Sequence, residues 1–291
     1  MKPDVIVAGT DGSEQSLCAV EWAAREATMR GAALQVVAVP SMPPRMAWQR
    51  TPCGGPDAVA DMIVRSYQRA LASAADRTAD IEPGVAISTT LLSGPPAQSL
   101  CEAGEHASML VVGSRGGGRF ASLLLGSVSR YAATRADCPV VVVREETTAV
   151  HREVVVGIRD LDQPSAIGFA FEEAALRNAR LRAVHAWEWF LPEMRLTGSE
   201  RPGAAAQDIT SAARQWLTDL LGFWREKYPE VDVTEDVAHA HPARILAGYS
   251  ARADLVVLGR NTPDDSPRPG TNAVTQAVLS HAHGPVAVIA E

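Results

Sequence analysis

The sequence predicts an α/β protein made of two tandem open parallel-sheet domains packed about a pseudo-two-fold. Three observations carry that prediction. Apolar runs of four to eight residues, rich in Val and Ile, recur along the chain and read as buried parallel strands. Longer amphipathic stretches lie between them, and strand–helix alternation with short loops builds βαβ units with helices on both sheet faces. The whole pattern then returns. Ala97, Gly113 and Pro139 recur as Ala243, Gly259 and Pro285, each about 146 residues later, which is roughly one domain length.

In the first copy, strands are expected near 4–9, 34–39, 86–92, 108–113 and 139–144. A first helix is expected from Ser16 to Arg30, with Ser13 or Asp11 as its cap and Gly31 just past its end. A second is expected from Asp57 to Asp80. The opening run Val5-Ile6-Val7-Ala8-Gly9 returns as Val154-Val155-Val156-Gly157-Ile158. A polar stretch at 144–152 separates the copies, giving domains at 1–146 and 150–291. Each half ends on an apolar strand, Val140 to Val143 and Val286 to Ile289. Uncovered apolar edges invite pairing, so these two strands are expected to cover each other, or to form a homodimer contact.

Composition narrows the function. The 291 residues are 46% hydrophobic and 21% charged, an ordinary globular balance. Against 34 Asp+Glu stand 27 Lys+Arg, a net charge of -7, which argues against a nucleic-acid partner that must neutralise a phosphate backbone. No run of eighteen apolar residues could span a bilayer, and the first apolar stretch is too short for a signal peptide. The expectation is a cytoplasmic protein without a membrane partner. Cys18, Cys53, Cys101 and Cys138 show no C-x-x-C spacing and read as reduced thiols.

Ligands of such sheets lie beyond the carboxyl ends of the strands, at the switch point in strand order. After the fourth strand stands Gly113-Ser114-Arg115-Gly116-Gly117-Gly118, and nine residues separate Gly116 from Gly126-Ser127-Val128-Ser129. Gly113 lets the backbone approach a ligand. Gly116 to Gly118 can take positive φ and turn amides inward as an anion nest. Gly126 and Ser127 open the next helix, whose free amides and dipole favour phosphate, while Ser127 and Ser129 add hydroxyls. No Gly-Lys-Ser/Thr follows, so this is not a P-loop.

With Val7-Ala8-Gly9-Thr10-Asp11-Gly12-Ser13 and Cys138-Pro139-Val140-Val141-Val142, this glycine pattern resembles the universal stress protein family over nearly the whole chain. The resemblance implies a Rossmann-like fold of the adenine nucleotide alpha hydrolase type in each half. It also implies ATP, with Mg2+, as ligand. Carried over by position, the cradle would comprise Asp11, Gly113, Ser114, Arg115, Gly116, Gly126, Ser127, Val128 and Ser129, with Thr10 and Val39 edging the adenine pocket. Asp11 has two readings, nucleotide contact and helix cap, and one carboxylate can serve both. The resemblance further implies a stress-response regulator whose nucleotide occupancy alters an unidentified protein partner's binding. Slow ATP hydrolysis, self-phosphorylation and a nucleotide-free scaffold are the alternatives. No catalytic residue is singled out.

The second half departs where phosphate would sit. Arg159 stands at the Asp11 position beside Asp160, and Thr262, Asn272 and Ala273 replace Gly116, Gly126 and Ser127. Three prolines and two aspartates fill 263–269, removing amide donors and repelling phosphate. One competent and one degenerate site are expected. His239 with His241, and His281 with His283, have a spacing that on a strand shares one face, yet too few ligands accompany either pair for zinc or copper. Proline- and glycine-rich segments at 40–56 and 191–203 read as long surface loops.

Overall fold

The computed structural model describes residues 4–41, 56–114, 125–144, 149–159, 163–187, 202–260 and 271–291. Two compact units divide the chain, Met1–Glu146 and Thr147–Glu291. Unit one runs β1 (Val5–Gly9), α1 (Glu14–Arg30), β2 (Ala33–Ala38), α2 (Pro56–Ile81), β3 (Ile87–Leu91), α3 (Pro96–Gly104), β4 (Met109–Gly113), α4 (Ser127–Arg135) and β5 (Val140–Val143). Its strands are all parallel in the order β3-β2-β1-β4-β5. The chain builds outward from β1 on one side, then crosses to β4 on the other. The switch point is therefore the crevice between the carboxyl ends of β1 and β4.

Each expected strand of this unit is present, shifted at its ends by a residue or two. Helix α1 begins earlier than its apolar pattern suggests because Ser13 caps it, accepting from Ser16 N at 3.3 Å. Gly31 ends it at φ 63°, the left-handed conformation that releases the chain into β2. The sheet-facing side of α1 is alanine, with Ala19, Ala23, Ala24 and Ala27 fully buried, so the helix lies close to the strands. Ile6, Leu34, Met109 and Leu110 are fully or almost fully buried along the strands of this sheet.

Unit two runs β6 (Glu153–Gly157), α5 (Pro164–Leu176), β7 (Arg180–Trp187), α6 (Pro202–Lys227), β8 (Val233–His239), α7 (Pro242–Tyr249), a one-turn helix Ser250–Arg252, β9 (Leu255–Arg260), α8 (Thr271–His281) and β10 (Val286–Ala290). Its parallel order is β10-β9-β6-β7-β8, so its switch point lies between β6 and β9. The core here is aromatic where the first unit is aliphatic. Phe171 on α5 stacks on Trp224 of α6 and on Tyr228 just past its end, with ring centroids 6.1 and 5.8 Å apart. Gly168 makes room, since a Cβ there would lie 2.5 Å from Trp224 Cη2.

The histidine pairs do not share strand faces. His239 ends β8 whereas His241 caps α7, and His281 ends α8 whereas His283 lies beyond it. The strand stops two residues short of His241 in the first pair, and helix α8 takes His281 of the second. Cys18, Cys101 and Cys138 are free thiols. Burial pushes the Cys138 thiol up to about 11, so it stays protonated and unreactive at neutral pH. Cys53 and most of the two loop segments lie outside the described residues. Among the described residues, no helix is long and apolar enough to cross a membrane.

Candidate functional site

The candidate site lies where β1 and β4 end. Past Gly9, Thr10 N still donates to Val37 O at 2.9 Å, so the sheet ladder reaches the loop. The loop is then stitched around one hydroxyl. Ser16 Oγ sits 3.0 Å from Thr10 Oγ1, accepts from Asp11 N at 3.3 Å and donates to Ser13 O at 2.8 Å. Gly12 N donates to Thr10 Oγ1 at 3.2 Å, and Ser13 N to Asp11 Oδ1 at 3.0 Å. Gly12 holds φ 80° against Ala70, where a Cβ would approach to 2.9 Å. Ser13 is thus the helix cap, and the exposed Asp11 carboxylate makes the preceding Asx turn.

Across the crevice, Ser114 N donates to Val143 O at 2.7 Å and Gly126 N donates to Ser114 O at 2.8 Å. Ser129 Oγ donates to Gly113 O at 2.6 Å. The glycine-rich loop therefore leaves and returns at one point, its base closed by two hydrogen bonds. Ser129 and Ser114 are buried, and the Ser129 hydroxyl is committed to the strand end. Helix α4 opens at Gly126 without a side-chain cap, and its first internal bond is Arg130 N to Gly126 O at 3.0 Å. The amides of Ser127, Val128 and Ser129 precede that bond and have no partner within the helix. Ser129→Ala should leave Gly113 O unsatisfied and cost about 1–2 kcal/mol. Urea denaturation of the full chain checks it.

Gly113 is tied to packing. A Cβ at this residue would lie 2.7 Å from Gln15 O and 3.0 Å from Ser16 N, so the first turn of α1 rests directly on it. Contacts therefore run in sequence from Thr10 through Ser16 and Gly113 to Ser129, joining the two sides of the crevice. Val39, 5% exposed, follows the end of β2 on the Thr10 side. Arg115 and Gly116 lie outside the described residues, as do Asp160 and Thr262. Ser16 was not among the expected site residues. Its only sequence signal is a serine three positions after a capping serine, a common helix-start spacing.

The second unit builds its mouth differently. Arg159 N donates to Gln163 Oε1 at 2.8 Å, and Gln163 is buried. A Cβ on Gly259 would lie 2.4 Å from Gln163 Nε2, so a side chain covers the glycine that corresponds to Gly113. Arg260, at the Ser114 position, is buried. No group of three or more His, Cys, Asp or Glu that could hold a metal ion occurs among the described residues.

Known proteins resemble this chain in sequence and in fold. The universal stress protein family matches residues 3–144 and again 151–290. Universal stress protein Rv2005c of Mycobacterium tuberculosis is 34% identical, covering 97% of this chain and 96% of its own. Rv2623 of the same organism is 31% identical over 98% and 96%. A universal stress protein from Archaeoglobus fulgidus has a similar fold, with a TM-score of 0.70, 18% identity, and 100% and 99% of the two chains covered. Two matched copies spanning nearly the whole length, together with full-length relatives, place this chain in the universal stress protein family as a tandem member.

Proposed function

We propose that the first unit binds an adenine nucleotide, ATP with Mg2+, and that the chain acts as a nucleotide-dependent regulator. One observation carries this reading. Helix α4 opens without a side-chain cap at the point where the eleven residues between Ser114 and Gly126, three of them the glycines 116–118, return to the switch point. First-turn amides and a positive helix end suit a phosphate group, and the nearby hydrogen-bonded base fixes where they point. The residues present fit the ligand. Ser127 and Val128 offer amides to phosphate, Asp11 holds an exposed carboxylate across the crevice, and Thr10 and Val39 give the β1–β2 side a small, largely apolar surface.

The second unit supports no equal claim, because Gln163 covers its glycine and Arg159 replaces the aspartate. Titration with ATP and Mg2+ should therefore saturate near one site per chain, and AMP and cyclic AMP titrated in parallel rank the phosphate requirement. Mass spectrometry of small molecules released from the purified protein gives an independent check. Two equal sites would show that the second mouth binds as well. No nucleotide released and no saturable binding would remove the reading.

A further inference from the structure

Helix α5 begins in a way that α1 does not. Its first residue, Pro164, has no amide hydrogen, and Gln163 before it makes no side-chain cap. The next two amides, of Ser165 and Ala166, donate to Glu291 Oε2 and Oε1, each at 3.0 Å. Ile167 N closes the first internal bond to Gln163 O at 3.1 Å. Every first-turn donor is thus satisfied, by a carboxylate from a residue 126 positions away in the case of Ser165. Glu291 is held in place, because its own N donates to Arg260 O at 3.2 Å just where β9 ends. Its Oε1 also lies over Gly259, where a Cβ would come within 2.9 Å of it and within 2.4 Å of Gln163 Nε2. In the first unit the same helix start is capped locally by Ser13, and α1 backbone covers Gly113.

We propose that Glu291 is the second unit's resident anion. Its carboxylate holds the α5 N-terminus and, with Gln163, keeps the mouth between β6 and β9 closed to a phosphate-bearing ligand. Two convergent amides and a helix dipole make the same demand on either group, a compact anion with two acceptor oxygens. A carboxylate on the same chain competes at an effective concentration of about millimolar or more, so free phosphate at lower levels is displaced. The proposal rests on the reading that strand-end mouths in this fold receive phosphate, and it adds a held carboxylate to the missing glycines as a reason for the second unit to bind none.

Hydrogen exchange of the Ser165 and Ala166 amides in the full chain tests it. Glu291→Ala should speed exchange at both by about tenfold, the loss expected for a missing cap. Inorganic phosphate at millimolar concentration, compared with chloride at equal ionic strength, should slow exchange again in the variant and leave the wild type unchanged. Glu291→Gln, equal in shape but neutral, should fall between the two. Unchanged exchange in Glu291→Ala overturns the assignment, as does a variant that phosphate fails to protect. A Gln variant as protected as the wild type overturns the role of charge. Because the readout is local to α5, loss of ATP binding at the first unit leaves it unaffected, and the two readings fail separately.

Discussion

Gly126→Asp is expected to lower ATP affinity by about a hundredfold or more while leaving the fold as stable as before, or slightly more so. Gly126 stands at the N-cap of α4 with φ -60° and ψ 152°, an extended conformation open to any residue. Aspartate is among the best caps, and a carboxylate at a helix N-terminus gains about 0.3–1 kcal/mol from the dipole. The same carboxylate takes the amides that phosphate needs. At about 4 Å and an effective dielectric near 20, each like-charge pair costs about 4 kcal/mol before screening. Even heavily discounted for exposure, that exceeds the roughly 2.7 kcal/mol a hundredfold loss requires. The opposed signs make the test sharp. Isothermal titration should show the loss while the thermal midpoint holds or rises. Asn272→Asp, at the corresponding place in the second unit, should change affinity little. Unaltered ATP binding in Gly126→Asp would remove the phosphate site from α4.

Much of the fold was legible because its strands are buried on both faces. Runs such as Val140 to Val143 and Leu255 to Leu258 need no alternation to be read as strands, and their return at a fixed interval exposed the duplication. The helix stop at Gly31 followed from cap chemistry that acts within four residues, and the same chemistry narrowed the start to Ser13 or Asp11, of which the structure uses Ser13. The glycine spacing pointed to the switch point for the same reason, since a strand end and a helix start are local signals. What escaped the sequence acts at long range. Nothing near Ser165 announces that its amide partner is Glu291, and nothing near Gly168 announces that Trp224 needs the space. Ser16 joins Thr10, Asp11 and Ser13 only once the loop has turned back on the helix. Gly113 illustrates the limit most clearly, because a glycine at a strand end admits ligand approach and helix packing equally well on paper.

That ambiguity can be settled by comparing Gly113→Ala with Gly259→Ala, two equivalent glycines with different neighbours. At Gly113 the new Cβ would stand 2.7 Å from Gln15 O, 2.9 Å from Gln15 C and 3.0 Å from Ser16 N, all backbone. Neither side can yield by changing a rotamer. β4 is a central strand paired with both β1 and β5, and the first turn of α1 is pinned by Ser13 and Ser16. Overpacking against rigid backbone costs about 1–3 kcal/mol, and displacement of the Thr10–Ser16 bond adds to it, so about 3 kcal/mol is expected. For a unit of this size that corresponds to a thermal midpoint lower by roughly 6–12 °C. At Gly259 the nearest atom, at 2.4 Å, is Gln163 Nε2, the far end of a flexible side chain. Gln163 can swing away, giving up its bond to Arg159 N, and Glu291 Oε1, at 2.9 Å, is also a side-chain end that can shift, for a cost of about 1–2 kcal/mol. Denaturation of the two full-length variants, with hydrogen exchange locating the loss in α1 or α5, measures the difference. Equal destabilisation would refute the packing account of Gly113, whereas a large loss confined to α1 would show that this glycine is required by the fold before any ligand is considered.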